Sequence, residues 1–229
     1  MKKQESTARL SIAEENYLKA IYKLTENTDR PAATTAIAEQ MQTAAASVTD
    51  MLKRLADKGL IHYERYKGVS LTDEGMRLAT HLVRKHRLWE VFLVDKLGFG
   101  WDKVHDIAEQ LEHIRSPELV ERLDEFLGRP RFDPHGDPIP DAEGQFAERQ
   151  QTLLCKLAEG QQGVIVGVAE HAPSFLQFLD KLALVLGTRL QVVERFDFDD
   201  SMKVRLPDER EVLLSSKVTH NLFVQKLPA

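Results

Sequence analysis

The first third of the chain carries three helical patterns followed by a short hairpin pattern, and this order constrains the fold more than any other feature. Ser11 followed by Glu14 is a capping-box motif, after which apolar residues recur at helical spacing. Two more helical patterns follow, and the second of them stops at Gly59. β-branched and aromatic residues on both sides of Gly68 predict a two-stranded hairpin. Together these elements predict a winged helix-turn-helix.

The third helical pattern is the predicted recognition helix, because a helix-turn-helix places this helix in the major groove of DNA. Its apolar residues point inward, which leaves a polar outer face towards the bases. The predicted DNA contacts on this face and on the hairpin are Ala46, Ser47, Thr49, Asp50, Lys53, Arg54, Arg65 and Lys67. The basic members form a local cluster of the kind that contacts phosphates. A three-helix packing module with a solvated basic face is the alternative.

Downstream of the hairpin, the patterns predict a long helix to about Leu97, a second helix over 102–114 and a third from Ser116 to Leu127. The segment RPRFDPHGDPIP is rich in proline and glycine and is predicted to be irregular. From Gly163 onward, short β-branched runs surround one helix, which indicates a small β-barrel-like domain. The predicted domains are therefore 1–75, 76–140 and 161–229, with a tether over 141–160.

Histidine and glutamate recur at one-turn spacing on two consecutive predicted helices. Four of these side chains, those on the helix over 102–114, fall within an arc of roughly 100°. Imidazole and carboxylate donors suit Mn²⁺, Fe²⁺ and similar ions. Such pairs are also ordinary surface ion pairs, so the spacing alone leaves a metal site and a solvated face open. The side chains are His86, Glu90, His105, Glu109, Glu112 and His113.

Composition and charge exclude several classes of protein. A formal net charge of −5 opposes indiscriminate binding to nucleic acid. Cys155 is the single cysteine, which excludes an internal disulfide and a multi-cysteine zinc site. No apolar stretch follows the basic pair at the start, and no run approaches the ~18 apolar residues that a membrane span needs. We therefore expect a cytoplasmic protein.

The order of these features resembles the diphtheria-toxin-repressor family of metal-dependent transcriptional regulators, in its manganese- and iron-responsive type. The resemblance covers nearly the whole chain and is carried by EENYLKAIYKL, SVTDMLKRLADKGLIHYE, RKHRLWE, KVHDIAEQLEHI and DPHGDPIP. It implies a mainly α fold with a winged helix, a helical metal-binding and dimerisation domain and a small SH3-like β-barrel. It also implies a homodimer that represses transcription at a double-stranded DNA operator when Mn²⁺, or alternatively Fe²⁺, is bound.

The resemblance also implies roles for individual residues. It places Asn16, Glu109, Glu112 and His113 at the activating metal site. It places His86, Glu90 and His105 at an ancillary site, which His171 completes more plausibly than Ser174. Glu109 stands where the toxin-repressor type has a cysteine, and in this the chain is similar to the manganese sensors. Lys19 stands where the two-metal manganese sensors carry a carboxylate, which separates this chain from their paired-metal arrangement.

Two other classes of protein compete with this interpretation. A winged-helix regulator that senses a small organic ligand would leave the histidine and glutamate face at the surface. A metalloenzyme would use the same carboxylates and histidines for hydrolysis. The sequence offers no separate nucleophile or acid–base motif, so we expect a protein that is not an enzyme.

Overall fold

The computed structural model describes residues 10–26, 28, 30–64 and 67–228, and the chain divides into two compact units. The first unit is Met1–Lys85 with Pro140–Gln145, and the second is His86–Ile139 with Phe146–Ala229. No helix among the described residues is both long and apolar enough to cross a membrane.

The first unit contains the predicted winged helix-turn-helix. Its elements are α1 (Ile12–Thr25), α2 (Thr34–Gln40), α3 (Ala45–Asp57), β1 (Ile61–Glu64), β2 (Gly68–Leu71) and the start of α4 (Asp73–Asp95). The capping box is present, because Ser11 Oγ accepts from the Glu14 amide at 3.3 Å and Glu14 Oε2 accepts from the Ser11 amide at 2.8 Å. Val48, Leu52 and Leu55 bury the inner face of α3.

The hairpin is antiparallel and gains a third partner from the segment before α2. β1 pairs with β2 along its whole length, and Ala32 forms a bridge with Val69. Gly68 has a φ of +100°, and a Cβ on it would lie 2.8 Å from the Pro31 Cβ. Glycine is therefore needed at this turn, which explains why Gly68 marks the hairpin so clearly in the sequence.

The helical part of the second unit contains the rest of α4, α5 (His105–Leu111) and α6 (Pro117–Phe126). Ser116 caps α6 as predicted, since its Oγ accepts from the Leu119 amide at 3.2 Å. The helix predicted over 102–114 is shorter than expected. Glu112 is its C-cap, and Ser116 before Pro117 adopts an extended conformation that a continuous helix could not include.

The C-terminal part of the second unit is an antiparallel sheet with two helices and a 3-10 turn over Leu154–Lys156. The elements are β3 (Thr152–Leu153), β4 (Gln162–Val168), α7 (Pro173–Leu182), β5 (Arg189–Arg195), β6 (Met202–Arg205), β7 (Glu211–Leu214), α8 (Ser216–Thr219) and β8 (Leu222–Lys226). Ile165, Leu179 and Val204 are among the residues of its buried core. We call residues 152–226 the β domain.

The strand order of the β domain is β3-β8-β4-β5-β6-β7. The small β domain is confirmed as an antiparallel sheet. The expected closed barrel is not found, because no pairing in the described part of the chain joins the outer strands β3 and β7.

A tight turn at Asp133 to Asp137 packs against β4 of the β domain. Asp133 Oδ1 accepts from the His135 and Asp137 amides, both at 2.9 Å, and the Val168 amide donates to the His135 carbonyl at 3.0 Å. Gly136 has a φ of +89°, and a Cβ on it would lie 2.1 Å from the Val166 carbonyl oxygen. This turn accepts only glycine at position 136.

The close approach at this turn predicts that Gly136→Ala destabilises the second unit more than Gly160→Ala. Both glycines have positive φ, but a Cβ on Gly160 meets nothing within 4 Å. Gly160→Ala should therefore cost only the backbone strain, roughly 1–2 kcal/mol. Gly136→Ala adds a clash with backbone. Urea unfolding of both variants measures the difference, and equal losses of unfolding free energy would contradict the close packing at Gly136.

Candidate functional site

The predicted ancillary residues come together where α4 faces α5. His86 and Glu90 lie one turn apart on α4, and His86 Nε2 is 3.0 Å from Glu90 Oε1. His105, at the start of α5, places Nδ1 at 3.1 Å from His86 Nε2 and at 3.4 Å from Glu90 Oε1. One donor atom of each residue lies within 4.8 Å of the others, so the three form a group that could hold a metal ion.

The other nitrogen of His86 reaches the predicted activating residues. His86 Nδ1 is 2.7 Å from Glu112 Oε2, and Glu109 completes a second group within the same 4.8 Å limit. His113 Nε2 lies 3.9 Å from Glu112 Oε1. His105 Nε2 lies 3.7 Å from Glu109 Oε1. The six histidines and glutamates that the sequence placed on two consecutive helices thus form one continuous cluster.

Burial decides between a metal site and a solvated helix face. His86 is 5% exposed, Glu90 is 2% exposed and Glu112 is fully buried. Removing a carboxylate from water is costly unless an opposite charge or several hydrogen bonds compensate for the loss of hydration. Surface ion pairs would not be buried in this way, so the solvated-face alternative is wrong for these three residues.

A third group of possible ligands was missed in the sequence. Glu90, Asp133 and His135 also place donor atoms within 4.8 Å of one another, and all three are buried. His135 Nδ1 lies 3.7 Å from Glu90 Oε2 and has no hydrogen-bond partner among the described residues. The signal available was the Asp-x-His spacing within DPHGDPIP. Its proline and glycine content instead suggested a plain connecting segment.

Three predicted ligands lie outside these three groups: His113, which contacts Glu112, and His171 and Asn16. His171 stacks its ring on that of His135 with centroids 4.7 Å apart, and its Nε2 lies 4.0 Å from Asp137 Oδ2. It therefore lies beside the third group. Asn16 lies on α1 in the first unit, and its Oδ1 is buried without a hydrogen-bond partner in the described chain. A buried amide oxygen without a donor is an unused ligand atom.

Burial and neighbouring charges shift the pKa values of several groups in this cluster. Burial alone would raise the pKa of Glu90, but the imidazoles of His105, His135 and His86 beside it hold its pKa well below the ordinary value. Burial would lower the pKa of His135, whereas its contacts with Glu90 raise it to about 9. Burial, with Glu90 and Asp137 nearby, raises the pKa of Asp133 to about 7.

The raised pKa values of His135 and Asp133 keep protons beside Glu90. A divalent ion would displace these protons on binding, as is usual for histidine and carboxylate ligands. The donor set contains oxygen and imidazole nitrogen but no thiolate, which fits Mn²⁺ and Fe²⁺. Nδ1 of His135 makes no hydrogen bond among the described residues, and after losing its proton it would supply a donor atom for such an ion.

The predicted recognition helix α3 presents a polar outer face. Ala46, Ser47, Asp50, Lys53 and Arg54 are exposed there, and Thr49 is half-buried, with its hydroxyl donating to the Ala45 carbonyl. The Asp50 carboxylate lies 3.5 Å from Lys53 Nζ, which supplies the basic neighbour that a carboxylate facing DNA requires. Lys67 pairs with Glu64 on the hairpin. Arg65 lies outside the described residues.

Comparison with known proteins adds three family matches that cover most of the chain. Residues 9–69 match the family described as "Iron dependent repressor, N-terminal DNA binding domain". Residues 72–141 match "Iron dependent repressor, metal binding and dimerisation domain", and residues 152–226 match "FeoA domain". The clustered ligands of α4 and α5 therefore lie within the match to a metal-binding domain.

Individual relatives match either almost the full length of the chain or its first half. The iron-dependent repressor IdeR of Mycobacterium tuberculosis is 30% identical over 224 residues, covering 93% of this chain and 96% of the relative. The diphtheria toxin repressor of Corynebacterium glutamicum is 38% identical over 126 residues, 55% of each chain. A solved manganese-dependent transcriptional repressor in complex with manganese is 36% identical, with a TM-score of 0.85 over 93% of this chain and all of that one.

The unpartnered His135 nitrogen predicts that Mn²⁺ stabilises the folded chain partly through this residue. At free Mn²⁺ a hundredfold above the Kd, a site present only in the folded state adds about 2.7 kcal/mol to the free energy of unfolding. His135→Ala should reduce the gain measured by chemical unfolding with and without Mn²⁺. The control is His220→Ala, because the His220 ring is exposed and hydrogen-bonds to the Ser216 carbonyl one turn away. Equal gains in both variants would rule out His135 as a ligand.

Proposed function

The chain belongs to the iron-dependent repressor family of metal-dependent, DNA-binding transcriptional repressors, and we propose that Mn²⁺, with Fe²⁺ as the alternative, activates its binding to an operator. The observation that carries this proposal is the buried cluster in which His86, Glu90 and Glu112 turn nitrogen and oxygen donors towards one another. A cluster of this composition is stable only with protons or a cation to balance its carboxylates.

We assign the first two ligand sets as the family resemblance implies, and the third from the observed group of donors. Glu109, Glu112 and His113 are the proposed activating ligands, with Asn16 as a further predicted ligand. His86, Glu90 and His105 are the proposed ancillary ligands. Glu90, Asp133 and His135 form a third candidate set, with His171 beside it. A bound divalent cation supplies the positive charge that these converging carboxylates lack.

The switch follows from linkage between metal binding and conformation. An ion that binds the DNA-binding conformation more tightly than other conformations shifts the population towards it. Glu112 Oε2 lies 2.7 Å from His86 Nδ1 and Glu109 Oε1 lies 3.7 Å from His105 Nε2, so an ion bound by these donors would hold α5 against α4 and favour that arrangement. In the activated state, the α3 helices of the two subunits enter successive major grooves of the operator.

We infer that the working protein is a homodimer in the cytoplasm, where operator DNA and the metal pool are both accessible. The region that matches a dimerisation domain exposes large apolar side chains on α6, with Phe126 64% exposed and Leu119 37% exposed. A second copy would remove this apolar surface from water.

The three family matches also support a proposed division of the chain into domains. These domains are 1–75, 76–140 and 161–229, with a tether over 141–160.

Glu109 favours Mn²⁺ as the working ion. Its carboxylate oxygen is a harder donor than a thiolate, and several oxygen donors can complete the higher coordination that Mn²⁺ accepts. Zn²⁺ binds such donors more tightly but prefers four ligands. We therefore infer that Zn²⁺ binds and activates poorly, so that geometry rather than affinity selects the metal.

The test of this function is operator binding, selected from a DNA library and measured with Mn²⁺, Fe²⁺, Zn²⁺ and chelator. Glu109→Ala, Glu112→Ala and His113→Ala should each leave a folded protein and lower metal-stimulated binding at least about tenfold. Glu118→Ala is the control, since Glu118 is exposed and forms an exposed ion pair with Arg122. Unchanged stimulation in all three site variants would end the proposal.

A separate prediction distinguishes residues of the winged helix that contact DNA phosphates from residues that recognise bases. Lys67→Ala should weaken binding to all DNA sequences alike and reduce the salt dependence by about one counterion, because it removes a phosphate contact. Thr49→Ala and Asp50→Ala should instead change the preference among operator variants. Binding titrations at several salt concentrations, on operator and scrambled DNA, separate these effects. A change of sequence preference caused by Lys67→Ala alone would reverse the assignment.

A further inference from the structure

Trp101, in the connection between α4 and α5, holds the side chain of His135. The Trp101 carbonyl accepts a hydrogen bond from His135 Nε2 at 2.9 Å. The two rings also stack, with centroids 6.0 Å apart and planes at 12°. Trp101 is not in any ligand group and has no part in the function proposed above, so these two contacts with one possible ligand need an explanation.

The same tryptophan is attached to the β domain. Its ring packs against the buried core of that domain, and its Nε1 donates to Asp180 Oδ1 at 3.0 Å. The neighbouring Asp102 accepts from Gln177 Nε2 at 2.8 Å. Gln177 and Asp180 lie one turn apart on α7, so the α4–α5 connection is fixed to one face of this helix.

The carbonyl of Trp101 determines which nitrogen of His135 can bind an ion. A carbonyl only accepts, so Nε2 must carry the hydrogen of this bond. When an ion displaces the other proton of the ring, the lone pair that becomes free is therefore on Nδ1. That atom is buried, lacks a hydrogen-bond partner among the described residues and faces Glu90 Oε2 at 3.7 Å. Metal-ligating histidines typically have such a second partner, which fixes the ring and its tautomer.

We propose that Trp101 is a positioning residue that couples metal binding at His135 to the attachment of the β domain through α7. It orients His135 so that Nδ1 faces Glu90 and Asp133. An ion at Nδ1 in turn holds the Nε2 hydrogen on the Trp101 carbonyl and so holds Trp101 against α7. This inference rests on the proposed function, because it requires that Glu90, Asp133 and His135 bind a metal ion.

The coupling must act in both directions, because linkage between two equilibria is reciprocal. Metal should strengthen the attachment of α7, and loss of the Trp101 ring should weaken metal binding. Attachment does not depend on the tryptophan alone, since the Val168 amide also donates to the His135 carbonyl. The expected result is therefore a graded change in α7 rather than release of the whole β domain.

The experiment is hydrogen–deuterium exchange of the full chain with and without Mn²⁺, together with Mn²⁺ affinity by calorimetry. In the wild type, Mn²⁺ should slow exchange in residues 97–104 and 173–182. Trp101→Ala keeps the carbonyl but removes the ring and its N–H. It should abolish the Mn²⁺-dependent protection of α7 and weaken the binding step that is lost in His135→Ala by about tenfold.

Two further variants separate positioning from general packing. Asp180→Asn retains the oxygen that accepts from the Trp101 indole, so its α7 protection should stay close to that of the wild type, whereas Asp180→Ala should resemble Trp101→Ala. Phe198→Ala is the matched control, because it removes a fully exposed aromatic ring from the same β domain. It should change neither measurement.

Three results would overturn the proposal. One is Trp101→Ala with wild-type affinity and wild-type protection of α7 by Mn²⁺. Another is α7 exchange that rises equally with and without Mn²⁺ in Trp101→Ala, which indicates packing alone. The third is that His135→Ala binds one metal equivalent fewer than the wild type, while Mn²⁺ has no effect on the exchange of α7 in the wild type. Absence of any metal uptake by the wild type would instead refute the proposed function itself.

Discussion

The buried carboxylate of Glu90 is the constraint on which the second unit depends. It is 2% exposed, and imidazoles from three separate segments surround it: His86 on the same helix, His105 on α5 and His135 in the turn before the β domain. A carboxylate cannot stay ionised in such a place without these partners. Its charge therefore organises α4, α5 and the turn around one point.

The cluster also explains why one chain can combine a structural and a regulatory role in the same residues. Without an ion, protonated histidines balance the carboxylates. A divalent cation bound by the same donors would replace those protons. Glu90 belongs to two of the three ligand groups and His86 to two, so an ion in one group alters the surroundings of the others.

Much of the fold was predictable because it follows from local rules. The capping box at Ser11, the Ser116 cap and the Gly68 turn each depend on neighbouring residues only, and each was identified correctly. The helix over 102–114 was predicted too long, since Glu112 and His113 follow its end at Leu111. These two residues reach the cluster from the C-terminal end of the helix rather than from its face.

Local patterns in the sequence established the order of helices and strands, the winged helix, the donor types and six of the candidate ligands, because periodicity and caps report on residues close in the chain. Only the tertiary structure decided that these side chains are buried together and that Asp133 and His135 join them. The balance of a buried charge depends on partners that are remote in sequence. No local pattern records which histidine will face Glu90, or that Trp101 will hold it there.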